Sequence, residues 1–346
     1  MKIITIYIFL LPSKLCENCE MPIESIIICE CGVMFYFNPG MSYIEYVMGS
    51  KTKGPLKGKK LKEHIKAFCN ERGADLVGFA PAERWDKAGE VPPDFRPRSI
   101  WPPSRTIIVI GVEMPLPIVE TTPSVLHMEL YRAANRKLDI LAYDLTRYLN
   151  RVGHASFFFG RDVYANLMAL KDMPMAAFSH VMAAKYAGLG TIGASHVLLT
   201  PEFGPRVRFV SVFTSAVIPP DSMVKKDLCI KCGLCALCCP KKAITMKENQ
   251  VIGGYDKTAC LEMAEELTQR RCYPCGICIK VCPVGKDRLL YKQKGIQKKY
   301  LREAEALAAN PDDPEYKPWS HIRKYGTLKN ETGQASAAKT DRQKKD

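Results

Sequence analysis

No hydrophobic run in the chain is long enough to span a bilayer. The apolar stretch Ile3–Leu11 after Lys2 falls far short of the roughly 20 residues a membrane helix needs. That stretch has the outline of a signal peptide, yet no small-residue cleavage site follows it. Histidine is scarce, six in 346 residues. Only His180, in Phe178-Ser-His-Val181, stands beside a motif of interest, as a residue facing a cofactor or a satisfied core imidazole. Lysines crowd one segment, Lys51, Lys53, Lys57, Lys59, Lys60, Lys62 and Lys66, without the interleaved aromatics of a single-strand binding platform. No internal repeat is visible beyond one pair of cysteine runs.

Hydrophobic content of 47% and a charged fraction of 25% are those of a globular protein, and the length suits two domains of ordinary size. The net charge of +14 is uneven, with basic clusters at the lysine segment and after Cys282. Such patches attract nucleic acid, an acidic redox partner or a membrane surface, or are simply a solvated basic face. Of fifteen cysteines, all but Cys16, Cys19, Cys29, Cys31 and Cys69 lie between Cys229 and Cys282. Their spacing asks for thiolates, so a reducing cytoplasm fits better than an oxidising exterior.

The runs are Cys229-x2-Cys232-x2-Cys235-x3-Cys239-Pro240 and Cys272-x2-Cys275-x2-Cys278-x3-Cys282-Pro283. Two-residue gaps let three thiolates of one loop reach three irons of a cubane, and the fourth cysteine of each run serves the other cluster. One such run would also suit zinc. Two, each closed by Cys-Pro, point to two [4Fe–4S] clusters. Cluster one then takes Cys229, Cys232, Cys235 and Cys282, and spacing nominates Cys272, Cys275, Cys278 and Cys239 for cluster two.

Four regions follow: an N-terminal extension over 1–50, a mixed domain over 51–222, a double-cluster domain over 223–290, and a charged helix with a polar tail over 291–346. For the extension, three readings fit. Cys16-x2-Cys19-x9-Cys29-x-Cys31 forms a small zinc site, the segment is disordered, or translation begins at Met41 or Met48. Periodicity predicts helices over 56–72, 127–152, 175–187 and 288–309, and strands over 74–80, 106–112, 155–159, 197–200 and 206–214. Helices and strands alternate without strict βαβ units, so the fold class is α+β, or mixed α/β. The chain from Leu328 onward has too few apolar residues to order itself.

Gly188-Leu189-Gly190-Thr191-Ile192-Gly193 matches the dinucleotide fingerprint letter for letter. That motif needs a strand before it and a helix after it, so that pyrophosphate meets the helix N-terminus. Here a helical segment precedes and a strand follows, which excludes a Rossmann site. Gly188 instead suits a left-handed helix end, while Gly190 and Gly193 permit a tight turn or the close approach of a flat cofactor.

Together with Leu198-Leu-Thr-Pro-Glu-Phe-Gly-Pro-Arg206, Ala74-Asp-Leu-Val-Gly-Phe-Ala80 and the double cysteine run, this signature resembles the epoxyqueuosine reductase family, related to the cobalamin-dependent reductive dehalogenases. The resemblance covers about residues 56–290. It implies a nitroreductase-like domain holding base-off cobalamin, followed by a bacterial two-cluster ferredoxin-like domain. Electrons from an external ferredoxin or flavodoxin would pass through the clusters and reduce the cobalt. Absence of Asp-x-His-x-x-Gly agrees with base-off cobalamin held without a protein ligand, or with no cobalamin at all. The resemblance also nominates Cys260, between the two runs, as the fourth ligand of cluster two in place of Cys272. Spacing and resemblance leave both open. Cys238, beside Cys239, is expected to be a spare buried thiol.

Family members carry Asp-Tyr-His near the start of the long helix, with the Asp as proton donor. This chain reads His127-Met-Glu-Leu-Tyr131 there. Reduction at an apolar face needs one positioned acid, so Tyr131 and Glu129 become the catalytic candidates, with helix surface as the plain alternative. Gly188, Gly190, Gly193, His180 and Arg206 are the candidates for cofactor binding; Arg206 and Arg208 suit phosphate or carboxamide groups, or are surface charges. The expectation is an iron-sulfur oxidoreductase, cobalamin-dependent, acting on a small molecule. The alternatives are an epoxyqueuosine reductase acting on tRNA and an electron-transfer or corrinoid-activating protein. Helical repeats that hold tRNA in many family members are missing, which counts against tRNA.

Overall fold

The computed structural model describes residues 56–162, 169–173, 175–290, 295–310, 312–316 and 321–323, with the backbone of two short strands, Ile26–Ile28 and Met34–Tyr36. Those two strands pair antiparallel within a unit over Met1–Pro55, separate from a second unit over Leu56–Asp346. The cysteines at 16, 19, 29 and 31, both alternative start methionines and the tail from Leu328 lie outside the described residues.

The second unit is organised by a four-stranded antiparallel sheet in the order β1–β2–β4–β3. Its strands are β1 (Leu76–Pro81), β2 (Thr106–Glu113), β3 (Ser156–Phe159) and β4 (Val207–Thr214). Because successive side chains of a strand point to opposite faces, β2 sends Ile108 and Ile110 to one side and Ile107 and Val109 to the other, and all four are buried. This explains the unbroken β-branched run in the sequence: a central strand covered on both faces has no solvent side on which to alternate.

Helix α1 (Gly58–Glu71) and the long α2 (Val125–Arg151) cover the first face. Leu61, Ile65 and Cys69 of α1 meet Leu138, Leu141, Leu145 and Leu149 of α2 over Ile108, Ile110, Val210 and Val212. Burying each such aliphatic side chain contributes about 1.5–3 kcal/mol. Ser124 caps α2 by accepting from the His127 N–H, and Gly153 follows its end with φ +85°. The second face is aromatic: Trp85, Phe178, Tyr186 and Phe213 pack there. Helix α3 (His180–Tyr186) crosses this side and is shorter than the periodicity over 175–187 predicts. Ser179 is the reason. Its backbone is extended and its hydroxyl accepts from the Met182 N–H, so the helix begins after it.

Beyond the sheet, the chain enters the cysteine-rich region. Each cysteine run makes a loop and a single helical turn, Leu234–Leu237 in the first and Ile277–Lys280 in the second. Between them lie a hairpin, β5 (Ile244–Lys247) with β6 (Gln250–Tyr255), and helix α4 (Lys257–Gln269). The helix expected over 288–309 is divided: a turn over Asp287–Leu290 and then α5 (Ile296–Ala309), with Gly295 at φ +64° before it. No described helix is long and apolar enough to cross a membrane.

Candidate functional site

The fold sorts eight of the cysteines into two sets of four. Cys229, Cys232, Cys235 and Cys282 surround one small cavity, which Gly193, Ile230, Lys231 and Met246 also line. Cys239, Cys260, Cys275 and Cys278 surround a second. The fourth cysteine of each run thus crosses to the other run's set, as cubane ligation requires. Among the described residues no three candidate ligands converge on one point to hold a single metal ion; a cubane spreads its thiolates over four irons and does not need them to.

The structure separates Cys260 from Cys272. Cys260 sits in the first turn of α4, which Asp256 caps by accepting from the Ala259 N–H at 3.0 Å. This placement brings Cys260 into the lining of the second cavity together with Cys278. Cys272 is 1% exposed and its thiol donates to the Arg270 carbonyl at 3.2 Å, away from both cavities. Cys238 packs half-buried among Leu234, Val281 and Tyr300 and lines neither.

The donor chemistry fits iron-sulfur clusters. Burial pushes the thiols of Cys235, Cys275 and Cys282 up to about 11, and that of Cys278 upward as well. Such thiols stay protonated at neutral pH unless a bound cation takes the proton's place, which is how coordination of a thiol proceeds.

Arg206 belongs to the joint between sheet and cysteine loops. It is fully buried, and its five N–H donors are spent on the protein: Nη2 on Asp287 Oδ1 and the Val284 carbonyl, both at 2.6 Å, Nε on Asp287 Oδ2, and Nη1 on the carbonyls of Cys282 at 3.1 Å and Ile279 at 3.5 Å. No donor is left for a cofactor. Gly204 lies so near that an added Cβ would stand 1.9 Å from the Val284 carbonyl oxygen. A second latch joins Glu120 to Arg288 at 3.0 Å and to Lys299 at 2.9 Å, with the Tyr300 hydroxyl bonded to both Glu120 and Arg288.

Between sheet and loops lies a central cavity of about 440 Å³. It shares a wall with the second cysteine cavity, formed by Val197, Tyr255, Tyr273, Pro274, Gly276 and Cys278. Tyr131 also lines it, and its hydroxyl donates to Asp162 Oδ1 at 3.1 Å and accepts from Arg208 Nη2 at 3.1 Å. Arg208 also reaches Asp162 at 3.2 Å and Asn135 at 3.2 Å, and its guanidinium lies 4.5 Å from the Tyr131 ring centroid. A tyrosine held this way keeps its hydroxyl at the cavity wall, with its proton on Asp162 and a fixed positive charge beside the oxygen that would be left if that proton moved. Glu129 is elsewhere, exposed and paired with Arg132 at 2.8 Å.

His180 lines the cavity, but both ring nitrogens are used, Nδ1 with Ser211 Oγ and Nε2 with the Gly160 carbonyl, each at 2.9 Å. Burial lowers its pKa to about 4. The glycine signature serves internal packing: a Cβ on Gly190 would stand 1.9 Å from the Leu199 carbonyl oxygen, and on Gly188, at φ +76°, 2.2 Å from that of Ser222. Only Gly193 of the three adjoins a cysteine cavity. Sequence reasoning passed over Asp162 and His127. For His127 the signal was present, since it stands four residues before Tyr131 on one face of α2.

Residues 228–286 match the 4Fe-4S dicluster domain family. The chain is 28% identical over 235 residues to the tetrachloroethene reductive dehalogenase of Dehalobacter restrictus, covering 62% of this chain and 37% of that protein. It is 28% identical over 157 residues to the epoxyqueuosine reductase of Listeria monocytogenes, covering 42% of this chain and 37% of that one. A solved reductive dehalogenase, whose structure was read as a mechanism for B12-dependent dehalogenation, superposes with a TM-score of 0.57 at 21% identity. The match covers 84% of this chain and 42% of the other. The chain thus spans less than half the length of these proteins. It is a homologue of the reductive dehalogenases and epoxyqueuosine reductases, with a 4Fe-4S dicluster domain at residues 228–286 and the mixed helix-and-strand fold of the former.

Proposed function

We propose that this protein is an iron-sulfur oxidoreductase that passes low-potential electrons through two [4Fe–4S] clusters to a corrinoid in the central cavity, where a small molecule is reduced. The observation that carries this reading is the shared wall: Cys278 lines both the second cysteine cavity and the central one. An electron leaving cluster two has only that wall to cross. Cluster one, beside exposed Ile230 and Lys231, is the side at which an external ferredoxin or flavodoxin delivers electrons in the cytoplasm.

A corrinoid supplies a low-valent metal centre that reduces its substrate, and the chain supplies the rest. Tyr131 gives the proton the reduced product requires, while Arg208 holds its oxygen and stabilises the charge left there. Asp162 fixes both groups in register. Tyr273 packs edge-on against Tyr131 with centroids 5.8 Å apart, which keeps water from that side of the ring. Cluster two is held by Cys239, Cys260, Cys275 and Cys278, and cluster one by Cys229, Cys232, Cys235 and Cys282.

The test is anaerobic reconstitution with iron, sulfide and hydroxocobalamin, followed by gel filtration and the absorption spectrum of the protein fraction. The reading expects corrin absorbance to co-elute with about eight irons per chain. Eight irons without corrin would make the protein an electron-transfer module and would end the corrinoid reading.

A further inference from the structure

His127 is fully buried, and neither of its ring nitrogens has a hydrogen-bond partner among the described residues. It lines the central cavity. The ring rests on the cluster-two loop: a Cβ added to Gly276, between Cys275 and Cys278, would stand 2.7 Å from both its Cε1 and its Nε2. A buried polar group left without partners is costly, and native structures retain few of them. His180 on the same wall shows how this fold satisfies an imidazole that only has to be packed, with one bond to Ser211 and one to Gly160. His127 lacks such bonds although three hydroxyl residues, Thr121, Thr122 and Ser124, closely precede it in the chain. Ser124 bonds to Thr121 and accepts from the backbone N–H of His127, and Thr122 bonds to the Cys275 carbonyl.

We propose that His127 is a binding residue of the central cavity, holding an uncharged amide-type group of the molecule that occupies it. Neutral imidazole offers one N–H donor and one lone-pair acceptor. A primary amide can meet either atom, turning its carbonyl to the N–H or its N–H to the lone pair. Burial lowers the pKa of His127 to about 4, so the ring is neutral at physiological pH. The apolar neighbours Met114 and Ile279 on the same wall would penalise a charged partner. A corrin ring, whose rim is decorated with primary amides, meets this requirement. In that form the inference rests on the corrinoid reading above.

The experiment uses the full chain with both clusters reconstituted, and compares wild type with His127→Leu and His127→Gln. Two quantities are read: the unfolding midpoint without ligand, and the dissociation constant for hydroxocobalamin by equilibrium dialysis. Removing an unsatisfied polar group leaves the ligand-free midpoint of His127→Leu unchanged or higher, while its affinity falls at least tenfold. His127→Gln keeps a donor and an acceptor and stays within about threefold of wild type. A lower midpoint for His127→Leu with unchanged affinity would overturn the inference and make the imidazole a structural group bonded to water. If wild type takes up no cobalamin, the corrinoid reading fails by itself. His127 then stands as a binding residue for another occupant if His127→Leu is no less stable, and falls if it is less stable.

Discussion

The two sets of four thiols draw on two runs of one spacing, and they differ in one ligand and in what surrounds them. The set of Cys229, Cys232, Cys235 and Cys282 lies beside Ile230, 63% exposed, and the exposed Lys231 and Met246. The set of Cys239, Cys260, Cys275 and Cys278 backs onto the central cavity and draws one ligand from the first turn of α4. The runs nominate the thiols, and the elements around each set decide whether it faces solvent or the central cavity. On the proposed reading, the first would receive electrons from outside and the second would hand them inward.

The sharpest way to break this comparison is to remove one ligand from each set and one cysteine from neither. Cys260→Ser and Cys229→Ser are each expected to lose about half of the iron, from different clusters, while Cys272→Ser keeps the full complement, as iron analysis would show. Full iron in Cys260→Ser together with a loss in Cys272→Ser would reverse the ligand assignment. On the cavity side, Tyr131→Phe removes the proposed proton donor. Reductive turnover should fall about 10²- to 10⁴-fold with iron content unchanged, and retention of full turnover would discard Tyr131.

The joint between the sheet and the cysteine loops is Arg206 with Asp287, both buried. Breaking such a pair by removing one partner costs about 3–5 kcal/mol, so Arg206→Met should lower the urea midpoint strongly. A milder probe is pH. His127 and His180 are held at about 4, below the ordinary value, because burial disfavours the charged ring. The unfolded chain binds these protons near pH 6.5 and the folded chain refuses them until about 4. Stability is full above pH 6.5 and declines as pH falls toward 4, by roughly 2 kcal/mol per imidazole at pH 5 relative to pH 7. Urea unfolding of the apoprotein at the two pH values checks this, and His127→Leu should remove its share of the slope. The smallest effect belongs to Glu129: its exposed pair with Arg132 predicts a Glu129→Gln change within about 0.5 kcal/mol and unaltered turnover.

Much of the frame was legible in the sequence. The double cysteine run pointed to the 4Fe-4S dicluster domain, the buried run at 106–112 marked the central strand, and the order of helix before glycines argued against a nucleotide site. Cys260 against Cys272 was not legible from spacing, because the choice depends on where a helix of the linker starts. Glu129 and Tyr131 could be separated only by face. The 3.6-residue period places His127, Tyr131 and Asn135 together and Glu129 off that stripe, and burial follows the period. Arg206 looked like a ligand-binding cation because charge is visible in a sequence, while the Asp287 that consumes it lies 81 residues away. His180 and the glycines were drawn toward a cofactor by their neighbourhood, whereas their partners Ser211, Gly160, Leu199 and Ser222 came from other segments of the fold.

The most direct test of the account is the electron paramagnetic resonance spectrum of each reduced cluster with and without hydroxocobalamin. Cys282→Ser isolates cluster two and Cys260→Ser isolates cluster one. The account predicts that cobalamin alters the spectrum of cluster two, across the wall of Cys278, and leaves that of cluster one unchanged. A response confined to cluster one, or none from either, would contradict it.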